Sequence, residues 1–209
     1  MGKKMKGFVK ISKYAGMRED LVQAGGGNSA FKISPDKMVI KASGFQLADV
    51  TEETGYALVN PSIIKKTFLE KDAPDNISDT ETKRILSEAF ICGSRPSIET
   101  FLHAISGKYS LHTHPITVNA LTCRRDGDVI LRELFSEALF VPYATPGAEL
   151  AKAYFKAYKD YKKNGKDDPS VVFLMNHGLL VSANSSDEVI SITENTLKII
   201  EKYLDLGNH

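Results

Sequence analysis

The stretch SVVFLMNHGLLVSA, residues 170–183, constrains the fold more than any other part of the chain. Two apolar runs of strand length flank Asn176, His177 and Gly178, so the stretch predicts two neighbouring strands. His177 stands out in this apolar setting, because a buried polar side chain without a partner is costly. The sequence leaves three interpretations open: a core histidine satisfied by backbone groups, a turn residue before Gly178, or a ligand of a bound ion.

Helical and strand patterns alternate along the rest of the chain, which predicts one α/β domain over residues 1–209. No internal repeat, low-complexity tract or linker divides it. A polar loop is expected at 72–79. Helices are expected at 6–24, 60–71, 80–90, 95–106, 117–123, 130–138, 147–163 and 186–206, and further strands at 30–34, 38–43, 55–60, 109–114 and from 139 onward.

Charge and hydropathy exclude several classes of protein. The chain has 27 basic and 26 acidic residues, and this net charge of +1 gives no reason to expect nucleic acid or an anionic membrane as partner. No apolar run approaches the roughly 18–20 residues of a membrane span, and the N-terminus lacks the pattern of a signal peptide. Cys92 and Cys123 show no metal or redox spacing and are expected to be reduced thiols. We therefore expect a soluble cytoplasmic protein.

Two of the five histidines, His112 and His114, lie two residues apart in a strand-like run. Residues i and i+2 of a strand share a face, so both imidazoles can meet one ion. Alone, such a pair is equally typical of two half-exposed strand histidines. Together with His177 it gives three imidazoles, and three protein ligands with an open position are the layout of a catalytic zinc site. His103, within a helix, and His209, at the terminus, are weaker candidates.

Five phrases in order carry a resemblance to a known family: GGGNSAFKI, KASGFQL, RPSIETFLHA, SLHTHP and FLMNHGLLVSA. They span about residues 25 to 183 and resemble the class II aldolase/adducin family, nearest to the aldolase part of bifunctional rhamnulose-phosphate aldolase/dehydrogenases. The resemblance implies a central, largely antiparallel sheet between helical layers. It also implies a homo-oligomer, commonly a fourfold tetramer with active sites at subunit contacts.

The resemblance implies that His112, His114 and His177 bind Zn²⁺ and that Glu99 is the catalytic general acid/base. The ion would act as a Lewis acid on the oxygens of a sugar phosphate. An acid in the first turn after Pro96 can also simply complement a helix dipole, which is the alternative role of Glu99.

By the same resemblance, the substrate's phosphate is bound by Gly27, Asn28, Ser43, Gly44 and Ser97. Glycines let backbone N–H groups approach a phosphate, and small hydroxyl side chains supply donors. The helix expected from Pro96 would place Ser97 near a helix N-terminus, which favours anions. Without the family context, GGGNS is more typical of a flexible turn.

The sequence also departs from the family. Ile98 stands where some family aldolases carry a second phosphate-binding serine. About twenty residues beyond the histidine pair there is no tyrosine to serve as proton donor, so that donor is unassigned. Tyr143 lies in a segment expected to be structural, and Glu133 and Glu137 are expected to be surface acids of a helix.

The sequence therefore predicts a zinc-dependent lyase of carbohydrate metabolism that cleaves a ketose 1-phosphate into dihydroxyacetone phosphate and an aldehyde. A sugar-phosphate epimerase or dehydratase with the same metal site is the enzymatic alternative. A non-catalytic adducin-like scaffold is the other alternative, although a scaffold needs neither the three histidines nor Glu99.

Overall fold

One mixed sheet organises the computed structural model, which describes residues 2–69 and 78–205. Within these ranges the sheet has eight strands in the order β4-β3-β2-β1-β5-β8-β7-β6. Every neighbouring pair is antiparallel except β6 and β7, which are parallel. The strands are β1 Asn28–Ser34, β2 Lys37–Lys41, β3 Tyr56–Val59, β4 Phe90–Gly93, β5 Tyr109–Thr113, β6 Leu139–Val141, β7 Val171–Leu174 and β8 Gly178–Ala183.

Helices cover both faces of this sheet. A first apolar core lies between the sheet and α1, α5, α6 and α8, and a second lies between the sheet and α2, α3, α4 and α7. The bounds of these helices are α1 Gly2–Gly16, α2 Pro61–Leu69, α3 Asp79–Ala89, α4 Thr100–Ile105, α5 Ile116–Thr122, α6 Gly127–Leu134, α7 Ala148–Lys163 and α8 Ser186–Tyr203. The expected α/β domain, with a largely antiparallel sheet between helical layers, is confirmed. None of the described helices is both long enough and apolar enough to cross a membrane.

Strand alternation sends neighbouring residues of β5 into different layers. Leu111 belongs to the first core, whereas Ser110 and His112 face α4 in the second layer. β5 also lies at the middle of the sheet, between β1 and β8. A polar side chain on this strand is therefore buried and can be reached from both neighbouring strands.

Several boundaries differ from the sequence prediction. Helix α1 ends at Gly16 rather than near residue 24, because the chain there packs against the backbone of a 3-10 turn at Leu47–Asp49. Pro96 does not open a helix but forms an isolated β-bridge with Ala42, and α4 begins only at Thr100. Strand β4 was not expected. The loop predicted at 72–79 lies mostly outside the described residues, and His209 lies outside them altogether.

Lys32, near the end of β1, allows the energetic effect of burying a charged group to be tested. Its ammonium donates to the Ser106 carbonyl, and burial, followed by the charge of Lys65, lowers the pKa of Lys32 to about 7. Between about pH 7 and pH 10, Lys32 therefore carries a proton in the unfolded chain but not in the folded one. The free energy of unfolding should rise with pH over this range, by about 1 kcal/mol per pH unit. Urea unfolding of wild type and Lys32→Met over this range measures the effect. Parallel stability curves for the two proteins would contradict it.

Candidate metal centre

His112 is fixed by the two strands that flank β5. Its side chain is completely buried, and its Cα lies opposite Asn28 of β1 and Leu180 of β8. The Nδ1 atom is 3.0 Å from the Leu179 carbonyl oxygen. A carbonyl can only accept, so Nδ1 carries the imidazole hydrogen and Nε2 keeps a free lone pair. The sheet thus sets both the orientation and the tautomer of His112.

His114 and His177 bring their Nε2 atoms to this lone pair. The distances from His112 Nε2 are 3.0 Å to His114 Nε2 and 3.1 Å to His177 Nε2. His177 enters from the turn between β7 and β8, where Asn176 has a φ of 56°. A Cβ at Gly178 would lie 2.4 Å from the Thr113 carbonyl oxygen, so the turn can press this closely on β5 only with a glycine there.

The fourth group of the cluster is the carboxylate of Glu99. One oxygen lies 3.4 Å from His112 Nε2, and the other accepts a hydrogen bond of 2.9 Å from the Asn28 amide. One ligand atom from each of the four side chains lies within 4.8 Å of the others. Glu99 reaches this place from the residue that precedes α4, whereas the sequence prediction placed it inside a longer helix.

The protonation states of His114, His177 and Glu99 suit a cation. Burial, followed by the positive charge that His112 gains on protonation, lowers the pKa of His114 to about 3 and that of His177 to about 4. Burial raises the pKa of Glu99, but His112 and the Asn28 amide outweigh this and hold it well below its usual range. Near neutral pH His114 and His177 are therefore neutral imidazoles, and Glu99 is a carboxylate.

The donor set fits a metal ion for a second reason. The single lone pair of His112 Nε2 can accept a hydrogen from only one neighbour, yet two imidazole nitrogens lie at hydrogen-bond distance from it. A cation shared by the three nitrogens would satisfy all of them at once. Three histidines with one acidic residue are ligands that zinc accepts in proteins.

The five expected phosphate-binding residues fall into two groups. Gly27 and Asn28 lie beside the cluster, where Gly27 has a φ of 75° and a Cβ on it would be 2.9 Å from the His112 carbonyl. Asn28 is buried and uses its amide nitrogen on Glu99, while its amide oxygen has no partner among the described residues. Ser43 and Ser97 line a cavity of about 840 Å³. Gly44 follows Ser43 with a φ of 86° and open space around it.

The bridge between Ala42 and Pro96 brings the second group together. Directly beside it, the Ser43 amide donates to the Arg95 carbonyl at 2.9 Å. Ser97 lies three residues before α4, and its hydroxyl accepts from the Glu99 amide at 3.3 Å. Ser97 and Ile98, which both line the cavity, directly precede Glu99 in the chain.

Two basic residues near the site were not singled out from the sequence. The guanidinium of Arg95 donates to the Ser43 hydroxyl at 2.8 Å and lines the cavity. Lys41 is buried and donates to the Phe45 carbonyl at 2.6 Å. Burial lowers the pKa of Lys41, and the negative charge of Glu99 offsets part of this effect. Arg95 lies in the motif RPSIETFLHA, and Lys41 lies in the motif KASGFQL. The positive charge within each motif was the sequence signal that could have identified these two residues.

Three residues weighed as further acids or proton donors lie apart from the four-residue cluster. Glu133 and Glu137 are exposed, as expected for surface acids. Tyr143, in contrast, does not pack as a structural residue, because 60% of it is exposed and it borders a second cavity together with Asn176.

Comparison with known proteins decides the family. The model of the "Class II Aldolase and Adducin N-terminal domain" matches residues 7–204. The chain belongs to the class II aldolase and adducin family. Class II aldolases are metal-dependent, and the cluster of three histidines and Glu99 could bind a metal ion in this chain. Among curated proteins, no sequence matches the chain.

Solved structures share the class II aldolase fold over nearly the whole chain. The N-terminal class II aldolase domain of a conserved protein from Thermoplasma acidophilum has a TM-score of 0.82 at 22% identity, covering 98% of this chain and 95% of that one. YgbL from Klebsiella pneumoniae, provisionally assigned as an aldolase, epimerase or decarboxylase, has a TM-score of 0.70 at 18% identity, with coverages of 99% and 91%. L-fuculose-1-phosphate aldolase from Thermus thermophilus has a TM-score of 0.60 at 15% identity, with coverages of 100% and 99%.

Proposed function

We propose that the protein is a zinc-dependent aldolase that cleaves a ketose 1-phosphate into dihydroxyacetone phosphate and an aldehyde. One observation carries the proposal: three imidazole nitrogens and the Glu99 carboxylate converge within 4.8 Å of one another. The two residues directly before Glu99 line a cavity to which Ser43 and the Arg95 guanidinium also belong. The family membership and the similarity to a fuculose-phosphate aldolase support the same reaction class.

In this proposal, His112, His114 and His177 hold the zinc ion, whose Lewis acidity would polarise the substrate's carbonyl group. Glu99 is ionised at neutral pH and acts as the base that removes the proton from the C4 hydroxyl. The C3–C4 bond then breaks and its electron pair stays with the C3 fragment, to which the protonated Glu99 can return the proton. The Asn28 amide holds the carboxylate in place throughout.

The phosphate group is proposed to be bound by the Ser43 and Ser97 hydroxyls, which line the cavity, and by the backbone N–H group of Gly44. Gly27, which lies beside the cluster, is proposed to add its backbone N–H group from that side. Asn28 belongs to the same set through its position beside Glu99. Arg95 adds a positive charge that the sequence analysis did not assign to this site. It can compensate for Ile98, which stands where some relatives have a second serine, because a guanidinium donates to phosphate oxygens through two N–H groups.

Replacing Arg95 with methionine tests this assignment. We expect KM for a phosphorylated substrate to rise by about 10–100-fold, since a hydrogen bond to a charged group is worth roughly 1.5–3 kcal/mol. The inhibition constant of inorganic phosphate should rise by a similar factor. Arg84→Met is the matched control, because Arg84 is an exposed arginine of α3 that pairs with Glu81 and Glu88. Equal phosphate inhibition of both variants would contradict the role of Arg95.

The reaction itself is tested by measuring release of dihydroxyacetone phosphate from a panel of ketose 1-phosphates. Zinc-loaded protein should release it from at least one member, and chelator-treated protein should not. Product analysis separates the alternatives, because an epimerase or dehydratase leaves the carbon chain intact. A protein that binds no zinc and turns over no sugar phosphate would favour the scaffold interpretation instead.

The remaining expectations stay proposals. Residues 1–209 are proposed to act as one domain within a homotetramer in the cytoplasm, as the family resemblance implies for the assembly. Sedimentation velocity of the purified chain would measure the size of the assembly.

A further inference from the structure

A second polar pair lies directly beside the Glu99–His112 contact. His103 follows Glu99 by four residues, and Ser110 precedes His112 by two, so the two pairs connect α4 and its N-cap residue to β5 in antiparallel order. Four residues of a helix rise about 6 Å and two residues of a strand rise about 6.6 Å, so the two spacings match. The bond between His103 and Ser110 thus lies about one helical turn and one strand period from the contact of Glu99 with His112.

The His103–Ser110 contact is short and dry. His103 Nδ1 and Ser110 Oγ are 2.6 Å apart, and the side chains are 0% and 1% exposed. His103 Nε2 has no partner among the described residues, so this contact is the one described hydrogen bond of the imidazole. Burial lowers the pKa of His103 to about 3, so the imidazole is neutral under ordinary conditions.

Helix α4 depends on such a contact for its position. It has six residues, too few to be stable without tertiary packing, and all six are buried. The apolar contacts of Phe101 and Leu102 hold the helix against the second core but are non-directional. Among the described side-chain hydrogen bonds of Thr100–Ile105, the bond of His103 is the one that reaches the sheet.

We propose that His103, through its hydrogen bond to Ser110, is a positioning residue that places the Glu99 carboxylate at the three-histidine cluster. Its effect on turnover rests on the proposed function. Its effect on the geometry of the metal site is independent of the reaction catalysed. The positioning role and the proposed reaction can therefore be tested separately.

The kinetic test compares His103→Leu and Ser110→Ala with wild type, and repeats both changes in the Glu99→Gln background. We expect each to lower kcat by about 10–100-fold with KM nearly unchanged, since a displacement of about 1 Å can cost 100-fold. In the Glu99→Gln background the same changes should lower kcat by less than about twofold, because residues that act through one group are not additive. His103→Asn, which can still bond to Ser110, should restore most of the activity.

The independent test uses Co²⁺ in place of zinc and records its visible absorption without substrate. Glu99→Gln should change this spectrum, and His103→Leu and Ser110→Ala should change it in the same direction, while His103→Asn should resemble wild type. Ser12→Ala is the matched control, because it removes a buried bond of 2.7 Å to Ser29 between α1 and β1, away from the cluster. It should lower thermal stability without altering the spectrum.

Two results would overturn the proposal. One is a wild-type cobalt spectrum in His103→Leu and Ser110→Ala while Glu99→Gln alters it. The other is an equal loss of kcat from His103→Leu in the presence and absence of the Glu99 carboxylate, which would indicate packing alone. A wild-type protein without aldolase activity would refute the proposed reaction, and the cobalt spectra would still decide whether His103 positions Glu99.

Discussion

Replacing His112 with alanine is expected to lower the affinity for zinc by more than about 100-fold, beyond the 10–100-fold typical of losing an outer-shell partner. His112 lies at the centre of the cluster, with its Nε2 atom 3.0 and 3.1 Å from the other two imidazoles. Its loss removes one of the proposed zinc-binding nitrogens, Nε2, and also the hydrogen bond that Nδ1 donates to the Leu179 carbonyl. Competition with a chromophoric chelator measures the affinity, and turnover should fall to the level of metal-free protein.

Thr113→Val is the control for this change. Thr113 lies on the same strand and is equally buried, but its side chain faces away from the histidines. The substitution keeps the shape of the side chain, and zinc affinity should stay within about threefold of wild type, as expected away from the site. Unaltered zinc affinity in a folded His112→Ala protein would show that the three histidines are not the metal site.

Glu99→Gln is expected to lower kcat by about 10²–10⁴-fold, the usual contribution of a positioned general base. Glutamine has the same shape, and its amide oxygen can still accept the hydrogen bond from Asn28. KM and thermal stability should therefore change little, so that the loss appears in kcat. Steady-state release of dihydroxyacetone phosphate from the best substrate of the panel measures the effect.

The control for Glu99→Gln is Glu133→Gln, which removes an exposed carboxylate from α6. Its kcat should be that of wild type, as for most surface substitutions. If Glu99→Gln keeps more than about a third of the wild-type kcat, the carboxylate is not the base. In that case the outward-facing Tyr143, beside Asn176, becomes the next residue to test.

The sequence was informative where one strand period decides the geometry. The i, i+2 spacing of His112 and His114 follows from strand alternation alone, and the apolar runs around His177 require a strand on each side of it. The structure brings these three side chains together. The spacing predicts the shared face of His112 and His114, whereas the approach of His177 depends on the pairing of β8 with β5. Their roles as ligands, and that of Glu99, stay predictions.

The sequence was less informative where contacts distant along the chain decide the local structure. Pro96 is typical of a helix start, but it is engaged in a bridge to Ala42, so a turn at residues 98–99 comes first and the helix begins only at Thr100. The exposed strand β4 forms because β3 offers it a free edge, and its own residues do not show the pattern of a half-buried strand. The same bridge places Arg95 beside Ser43. This contact joins residues far apart in the chain, so local sequence patterns do not predict it.

The position of β5 at the middle of the sheet has a consequence for biosynthesis. Asn28 and Glu99 precede His112, whereas His177 follows it by 65 residues and arrives only when β8 pairs with β5. A growing chain therefore lacks the third histidine of the cluster until most of it has left the ribosome. If the four groups bind an ion as proposed, capture by a partly made chain is disfavoured, and binding would follow the pairing of β8 with β5.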